Sequence, residues 1–291
     1  MKNNFARLYK LILLFSLLIF TSCYGSWNIT CNGNDVAVRA DKMLKLSDAD
    51  QTFADSGISS LSGKYDVLIF SDVHFGTRRE PKDLPEEFYC WLDSVKGSEK
   101  APAFAICLGD IAEVGAQSDF DEYLEFCDKL KNEYGIKLIL NVCGNHDIYQ
   151  NHWDNWKSNC YPYTSFYKFE TSAFSWYVFD TASGVVGSHQ YEILRSEMEN
   201  DDRPKIMLTH YPLSTFRPQG AGLCDTAERN ILIRDFAQSK VLCYFAGHNH
   251  RTGHSYFGFD DYLCPSLRYN KGWYILHVDE EAGLAQASLL E

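Results

Sequence analysis

Positive charge is scarce in this chain of 291 residues. It carries 27 Lys and Arg side chains against 39 Asp and Glu side chains, a formal net charge of −12 at pH 7. A surface of this sign repels polyanions, so we do not expect a platform for nucleic acid. The sequence has no CxxC pair, which argues against a zinc ribbon, and no internal repeat of fixed period, which argues against a repeat architecture.

Apolar residues, by contrast, are abundant enough for a core. Hydrophobic residues make up 45% of the chain and aromatic residues 15%, a composition that excludes disorder over most of its length. The length suits one large α/β domain or two modest ones.

The apolar stretch at the N-terminus is too short to span a bilayer comfortably. Leu11–Phe20 contains one polar residue and follows three basic residues, an order typical of a signal peptide, which we predict over residues 1–23. Thr21-Ser22-Cys23 resembles a bacterial lipobox, which implies lipid attachment at Cys23, while simple cleavage or a retained anchor stays open. Each alternative predicts an exported body, facing the periplasm or the exterior, and a lipid would tether it to a membrane.

Ten cysteines are present, which is a high count. Cys107 and Cys143 lie in apolar runs and are predicted to be small buried side chains. Four others lie in loop-like sequence and could pair in an oxidising compartment: Cys31, Cys160, Cys224 and Cys264. A lipid on Cys23 would leave an odd number of thiols.

The body of the chain alternates apolar runs with helical patterns. Residues 24–62 are polar and are predicted to be a tether or lead-in, and residues 63–291 are predicted to be the folded domain. Helices over 86–95 and 118–134 separate three apolar runs, which predicts a parallel sheet with helical crossovers. Residues 148–163 are predicted to be a long loop. Short strands from residue 255 onward are predicted to close the fold as an antiparallel sheet.

Polar clusters follow five of the apolar runs. They are Asp72 with His74, Asp110, Asn145 with His146, His210, and His248 with His250. Because the carboxyl ends of strands in an α/β sheet share one edge, we expect these clusters to converge. A strand alternates its faces, so Asp72 and His74 are predicted to point the same way.

This donor set predicts a metal site. Two carboxylates, an amide and five imidazoles suit Mn, Fe or Zn rather than Ca. Eight donors are too many for one ion and suit two, which need an anion between them. Asp110, a carboxylate with no adjacent donor, suits that place.

The ordered set D-x-H, G-D, G-N-H-D, a lone H and G-H-x-H resembles that of the calcineurin-like metallophosphoesterase superfamily, over about residues 65–279. The resemblance implies a four-layer α/β/β/α sandwich of two mixed sheets flanked by helices. It also implies hydrolysis of a phosphoester by two divalent ions, Mn, Fe or Zn, with a bridging hydroxide as the nucleophile. Protein, nucleotide, sugar and lipid head-group esters all stay open as substrates.

The resemblance also implies a role for each site residue. The first metal would be held by Asp72, His74 and His250, the second by Asn145, His210 and His248, and Asp110 would bridge them. His146 would contact the phosphate and protonate the leaving oxygen, and Asp147 would orient His146. Glu113 stands near the place where the family often carries Asn or Asp. No tyrosine flanks Asp110, so we predict no purple ferric site.

Three further residues follow the motifs and are predicted to contact substrate: Arg78, Arg251 and His254. The alternative to substrate contact is that these three side chains are simply solvated at the surface. The activity could be that of a phosphodiesterase on a nucleotide or a lipid head group rather than of a monoesterase. A metal-binding lipoprotein without turnover is the alternative outside the enzymes, and the oligomeric state stays open.

Overall fold

The computed structural model describes residues 35–213 and 222–291. The predicted signal peptide, Cys23 of the predicted lipobox, and Cys31 lie outside these residues. Within them, no helix combines the length and the apolar character that a membrane crossing requires.

Two sheets form the body of the described chain. Their strands are β1 (Leu44–Lys45), β2 (Lys64–Phe70), β3 (Phe104–Cys107), β4 (Ile139–Asn141), β5 (Tyr167–Glu170), β6 (Ser175–Val178), β7 (Lys205–Leu208), β8 (Val241–Ala246), β9 (Gly253–Tyr256), β10 (Asp260–Leu263), β11 (Trp273–Asp279) and β12 (Leu284–Leu290). One sheet has the order β1-β5-β6-β7-β8-β10-β9 and the other β12-β11-β2-β3-β4. In the larger sheet, β6, β7, β8 and β10 pair in parallel, as do β1 and β5, whereas β5 with β6 and β9 with β10 are antiparallel. In the smaller sheet, β2, β3 and β4 pair in parallel, and β11 is antiparallel to both β2 and β12.

Helices cover the outer faces. They are α1 (Val36–Arg39), α2 (Gln51–Ser56), α3 (Glu86–Val95), α4 (Gln117–Tyr134), α5 (Trp153–Asn159), α6 (Ser188–Glu199), α7 (Thr226–Gln238) and α8 (Leu267–Asn270), with 3-10 turns at Ile58–Ser60 and His146–Asn151. In α4 the buried residues recur every three or four positions, which makes one apolar stripe. The helix ends where Gly135 takes a left-handed backbone with φ of 77°. The helices predicted over 86–95 and 118–134 are confirmed.

The alternation of side chains along β2 explains the layers. Val67 and Ile69 face the other sheet and join the core between the two sheets. Leu68 and Phe70 face the opposite way and pack with the residues of α3 and α4. A third core lies between the seven-stranded sheet and helices α6 and α7. The fold is therefore the predicted α/β sandwich of two mixed sheets flanked by helices.

The lead-in packs onto the sheets from residue 35 onward. β1 pairs in parallel with β5 at the edge of the larger sheet. Phe53 and Ile58 are buried in the core between the sheets. Both Arg39 nitrogens Nε and Nη2 donate to the buried carboxylate of Asp180 at 2.8 Å. This ion pair fastens α1 to the segment that follows β6.

Two local predictions are wrong. Residues 148–163 are not a long irregular loop, because they contain most of a 3-10 turn and then α5, where Trp153 and Trp156 are buried. The last four strands do not form one antiparallel sheet. β9 and β10 extend the larger sheet, with β10 parallel to β8, and β11 and β12 complete the smaller sheet.

The cysteines of the described residues are free thiols. Cys107 and Cys143 are buried, as predicted. Three candidates for pairing, Cys160, Cys224 and Cys264, form no disulfide within the described part of the chain.

Candidate metal centre

The five polar clusters lie where the two sheets meet. In the smaller sheet, β2, β3 and β4 end shortly before Asp72, Asp110 and Asn145. In the larger sheet, β7 and β8 end shortly before His210 and His248. The clusters converge as predicted, but they follow strands of both sheets rather than strands of one sheet.

Asp72, His74 and His250 form the first group. His250 Nε2 lies 3.2 Å from Asp72 Oδ1 and 3.0 Å from His74 Nε2. His74 Nε2 lies 3.9 Å from the same carboxylate oxygen. Asp72 and His74 are buried, whereas His250 is partly exposed. One ligand atom from each residue, together with one from Asp110, lies within 4.8 Å of all the others.

Asn145, His210 and His248 form the second group. Asn145 Oδ1 lies 2.9 Å from His248 Nδ1 and 3.2 Å from His210 Nε2. His210 Nδ1 lies 2.8 Å from the carbonyl oxygen of Leu108. Because a carbonyl oxygen only accepts, Nδ1 carries a proton, and the neutral ring presents a lone pair at Nε2.

Asp110 belongs to both groups. Its Oδ2 lies 3.2 Å from His210 Nε2 in the second group and 4.0 Å from His74 Nε2 in the first. Its Oδ1 accepts a hydrogen bond of 2.8 Å from the backbone N–H of His146. One oxygen is thus held by the backbone, and the other faces both sets of ligands.

The residues present fit two divalent cations. Asp72 Oδ1 is buried and accepts no hydrogen bond of good geometry, which is costly for a carboxylate. In the second group, a carboxylate oxygen, an amide oxygen and an imidazole nitrogen face one another. Such a set of lone pairs is stable only if a proton or a cation lies among them.

The charges of the cluster shift its titration. Burial alone would raise the pKa of Asp110, but the charges of His210, His74 and His146 hold it well below its usual range. Burial alone would lower the pKa of His210, but the Asp110 carboxylate raises it to about 9. Protons and divalent cations therefore compete for the same atoms.

Five cluster residues have left-handed backbones. The φ angles are 53° at Asp72, 45° at His74, 49° at Asp110, 72° at His248 and 53° at His250. This conformation costs a non-glycine residue on the order of 1–2 kcal/mol, so the surrounding fold must hold it. Asp72 and His74 do converge, but the predicted cause, strand alternation, is wrong because β2 has already ended.

Helix α8 and the residue that caps its N-terminus, Ser266, hold the loop that carries Asp72 and His74. Ser266 Oγ donates to the carbonyl oxygen of Asp72 at 2.7 Å. Arg268 Nε donates to the carbonyl oxygen of Val73 at 2.5 Å. Both side chains are buried, so distant sequence sets this local backbone.

Two glycines let the site loops approach one another. A Cβ at Gly144 would lie 2.1 Å from the backbone nitrogen of Asp110. A Cβ at Gly247 would lie 1.9 Å from Ser71 Oγ. Any larger residue at either position would force the ligand loops apart.

His146 lies beside the first group. Its ring is edge-on to that of His74, with 4.7 Å between the centroids. Its Nδ1 lies 2.6 Å from the carbonyl oxygen of Glu113 and must donate to it, since a carbonyl oxygen only accepts. This contact leaves Nε2 as the atom that can exchange a proton with a substrate.

The predicted role of Asp147 is wrong. Its two oxygens accept from the backbone N–H groups of Ala112 at 2.9 Å and of Gly144 at 2.8 Å, and His146 is oriented by Glu113 instead. Asp147 is fully buried, and burial together with the charge of Asp110 raises its pKa to about 8. It ties together the two loops that carry the bridging carboxylate and the G-N-H-D motif.

Glu113 and Tyr149 are among the residues that contact the site and that the sequence did not identify. Glu113 Oε2 lies 3.2 Å from His74 Nδ1, the nitrogen opposite the first group. The sequence signal for Glu113 is its position, close to the place where the family often carries Asn or Asp. Tyr149 Oη accepts from Asn145 Nδ2 at 2.9 Å. No sequence signal distinguishes this tyrosine from the aromatic residues that follow it.

Residues 65–252 match the family model of the calcineurin-like phosphoesterases. The chain belongs to this family. The fold is similar to that of a dimetal phosphatase from Danio rerio, with a TM-score of 0.54 and 12% identity over 74% of this chain and 93% of that one. It is also similar to GAP50, an anchor in the inner membrane complex of Plasmodium, with a TM-score of 0.51 and 13% identity over 79% and 89%. A search of curated proteins gave no match.

Membership of the calcineurin-like phosphoesterases makes this chain a hydrolase that acts on phosphoric esters. The cluster of Asp and His side chains points to the divalent metal centre of that family. The two structural relatives support the fold alone, because both are distant in sequence.

Among the described residues, none of the three predicted substrate contacts is joined to the cluster by a hydrogen bond or an ion pair. Arg78 and Arg251 are exposed, and Arg251 directly follows the predicted ligand His250 in the chain. His254 is on β9, where Nε2 contacts Asp260 Oδ1 at 2.8 Å and the ring stacks on Tyr262. Their contact with substrate stays a prediction.

Proposed function

We propose that this calcineurin-like phosphoesterase hydrolyses its ester with two divalent cations, Mn, Fe or Zn, and with His146 as the general acid. Asp72, His74 and His250 would hold one cation, and Asn145, His210 and His248 the other. The observation that carries the proposal is the position of Asp110, whose Oδ2 faces both groups while its Oδ1 is held by the backbone of His146. When bound, two such cations offset the charge of the phosphoryl group and lower the pKa of the attacking water.

The protein's own part is positioning and proton transfer. Glu113 O accepts the Nδ1 proton of His146, so the imidazolium presents its second proton at Nε2. That proton passes to the leaving oxygen, a step that contributes about 10²–10⁴-fold to the rate. Asp147 keeps the loop of His146 against that of Asp110, so the acid stays beside the first group.

Hydrolysis of an aryl phosphate and of a bis-aryl phosphate, with Mn²⁺ added, tests the proposal. His146→Ala should lower kcat by about 10²–10⁴-fold while two ions still bind. His277→Ala is the matched control and should leave kcat unchanged. It removes a histidine of β11 that is paired with Asp66 of β2. Turnover of only one substrate separates monoesterase from phosphodiesterase. Two bound ions without turnover of either ester would favour the metal-binding lipoprotein instead.

We also propose that the protein is exported and lipid-anchored at Cys23. The support is the order of basic, apolar and small residues before that cysteine. Labelling with a fatty-acid analogue should mark the wild type and not Cys23→Ala. Equal labelling of both proteins would rule out this anchor.

A further inference from the structure

Tyr149 contacts two residues of the metal centre at once. Its Oη accepts a hydrogen bond of 2.9 Å from Asn145 Nδ2. Its ring lies 4.4 Å from the ring of His146, centroid to centroid, with 38° between the planes. The side chain is 41% exposed, so burial in a core does not account for this placement.

The two ends of the Asn145 amide are chemically different. Nδ2 can only donate a hydrogen bond, and Oδ1 can only accept one or bind a cation. With Nδ2 on Tyr149, Oδ1 faces His248 Nδ1 at 2.9 Å and His210 Nε2 at 3.2 Å. Rotating the amide by half a turn would put N–H groups where the cation must lie.

The backbone around Tyr149 departs from a regular helix. The 3-10 turn His146–Asn151 is broken at Tyr149, where ψ is 150°, and Gln150 and Asn151 follow with φ of 54° and 66°. Left-handed backbones at two successive non-glycine residues persist only where the surroundings hold them. The break sets the direction in which the Tyr149 side chain leaves the chain, next to Asn145.

We propose that Tyr149 is a positioning residue, whose hydroxyl bonds the end of the Asn145 amide that faces away from the second cation and so limits the movement of this side chain, and whose ring supports His146. The inference rests on the proposed function in one respect, the cation held by Asn145, His210 and His248. Tyr149 is not one of the seven predicted ligands and touches neither cation, but it would set the affinity of the protein for one of them.

Two variants separate the hydroxyl from the ring. Tyr149→Phe removes Oη and keeps the ring, and Tyr149→Leu removes both. Tyr256→Phe is the matched control, because Tyr256 is 71% exposed on the edge strand β9. Calorimetric titration of the purified full chain with Mn²⁺, without substrate, measures the affinity of each binding step.

We expect Tyr149→Phe to weaken one of the two binding steps by about 10–100-fold and to leave the other unchanged, the range typical of residues behind a metal ligand. Saturating Mn²⁺ should restore kcat in Tyr149→Phe, whereas Tyr149→Leu should keep a lower kcat because His146 loses its support. Wild-type affinity at both steps in Tyr149→Phe would overturn the inference. Equal weakening of both steps would also overturn it, because that result indicates a general structural role.

The titration also distinguishes this inference from the proposed function. A wild type that binds two ions and hydrolyses neither ester overturns the catalytic proposal and leaves the Tyr149 result to be judged by affinity alone. A wild type that binds a single ion overturns the role of Tyr149, since the second cation on which it depends would not bind.

Discussion

Replacing Asp110 by asparagine should remove both cations from the centre. Asn keeps the shape of the side chain and removes one charge. The backbone N–H of His146, which donates to Asp110 Oδ1 at 2.8 Å, needs an acceptor, so the amide oxygen should take that place. The amide nitrogen would then face His210 and His74, where its N–H groups repel a cation.

The magnitude follows from the geometry of the cluster. Asp110 Oδ2 lies 4.0 Å from His74 Nε2, which sets the scale of charge separation in the site. At about 4 Å and an effective dielectric constant of about 20, one negative charge and a divalent cation attract each other by about 8 kcal/mol, which corresponds to roughly 10⁵–10⁶-fold in affinity for each ion.

The assay counts Mn²⁺ per chain after equilibration and desalting, alongside calorimetric titration. Asp260→Asn is the matched control, because that carboxylate also contacts a histidine, His254, at 2.8 Å but lies on β10 away from the cluster. The control should bind two ions, and Asp110→Asn should bind none at concentrations that saturate the wild type. Two ions on Asp110→Asn, at affinities within about tenfold of the wild type, would refute a shared carboxylate.

A titrating histidine, a buried carboxylate and a buried ion pair provide three more tests. The folded chain raises the pKa of His210 to about 9. Without added metal, the free energy of unfolding should therefore fall by on the order of 1–3 kcal/mol as pH rises from about 6.5 through 9, measured by thermal unfolding. Saturating Mn²⁺ should flatten this fall. A stability independent of pH across that window would contradict the assignment. Asp147→Asn should lower the free energy of unfolding in urea by about 1–3 kcal/mol, because one amide N–H would face a backbone N–H. An unchanged urea midpoint would count against these two backbone bonds. Arg39→Met should lower the free energy of unfolding by about 3–5 kcal/mol, because it leaves the carboxylate of Asp180 buried without its ion-pair partner. Arg195→Met, on an exposed helix pair, should change stability little, and equal losses in the two variants would contradict a buried ion pair.

The sequence by itself determined which side chains could form the centre. Each apolar run is a strand buried among its neighbours, and the polar residues that stop it stand where the strand ends. Asp72, Asp110, Asn145, His210 and His248 could be selected in this way, because a buried strand cannot carry them and a site at its end can. The ordered motifs then predicted the family, the sandwich and the pair of cations.

Only the tertiary structure decided how those side chains are oriented and supported. The left-handed backbone at Asp72 is held by Ser266 and Arg268, almost two hundred positions later in the chain. The contact of Glu113 with His74 and the bond of Asp147 to Ala112 also join positions distant in sequence. The contact of Tyr149 with Asn145 is local, but it depends on the break in the 3-10 turn at Tyr149. Strand position depends on a local pattern of burial, which a sequence displays. The direction of a side chain depends on φ, ψ and packing against residues distant in sequence, and these exist only once the chain has folded.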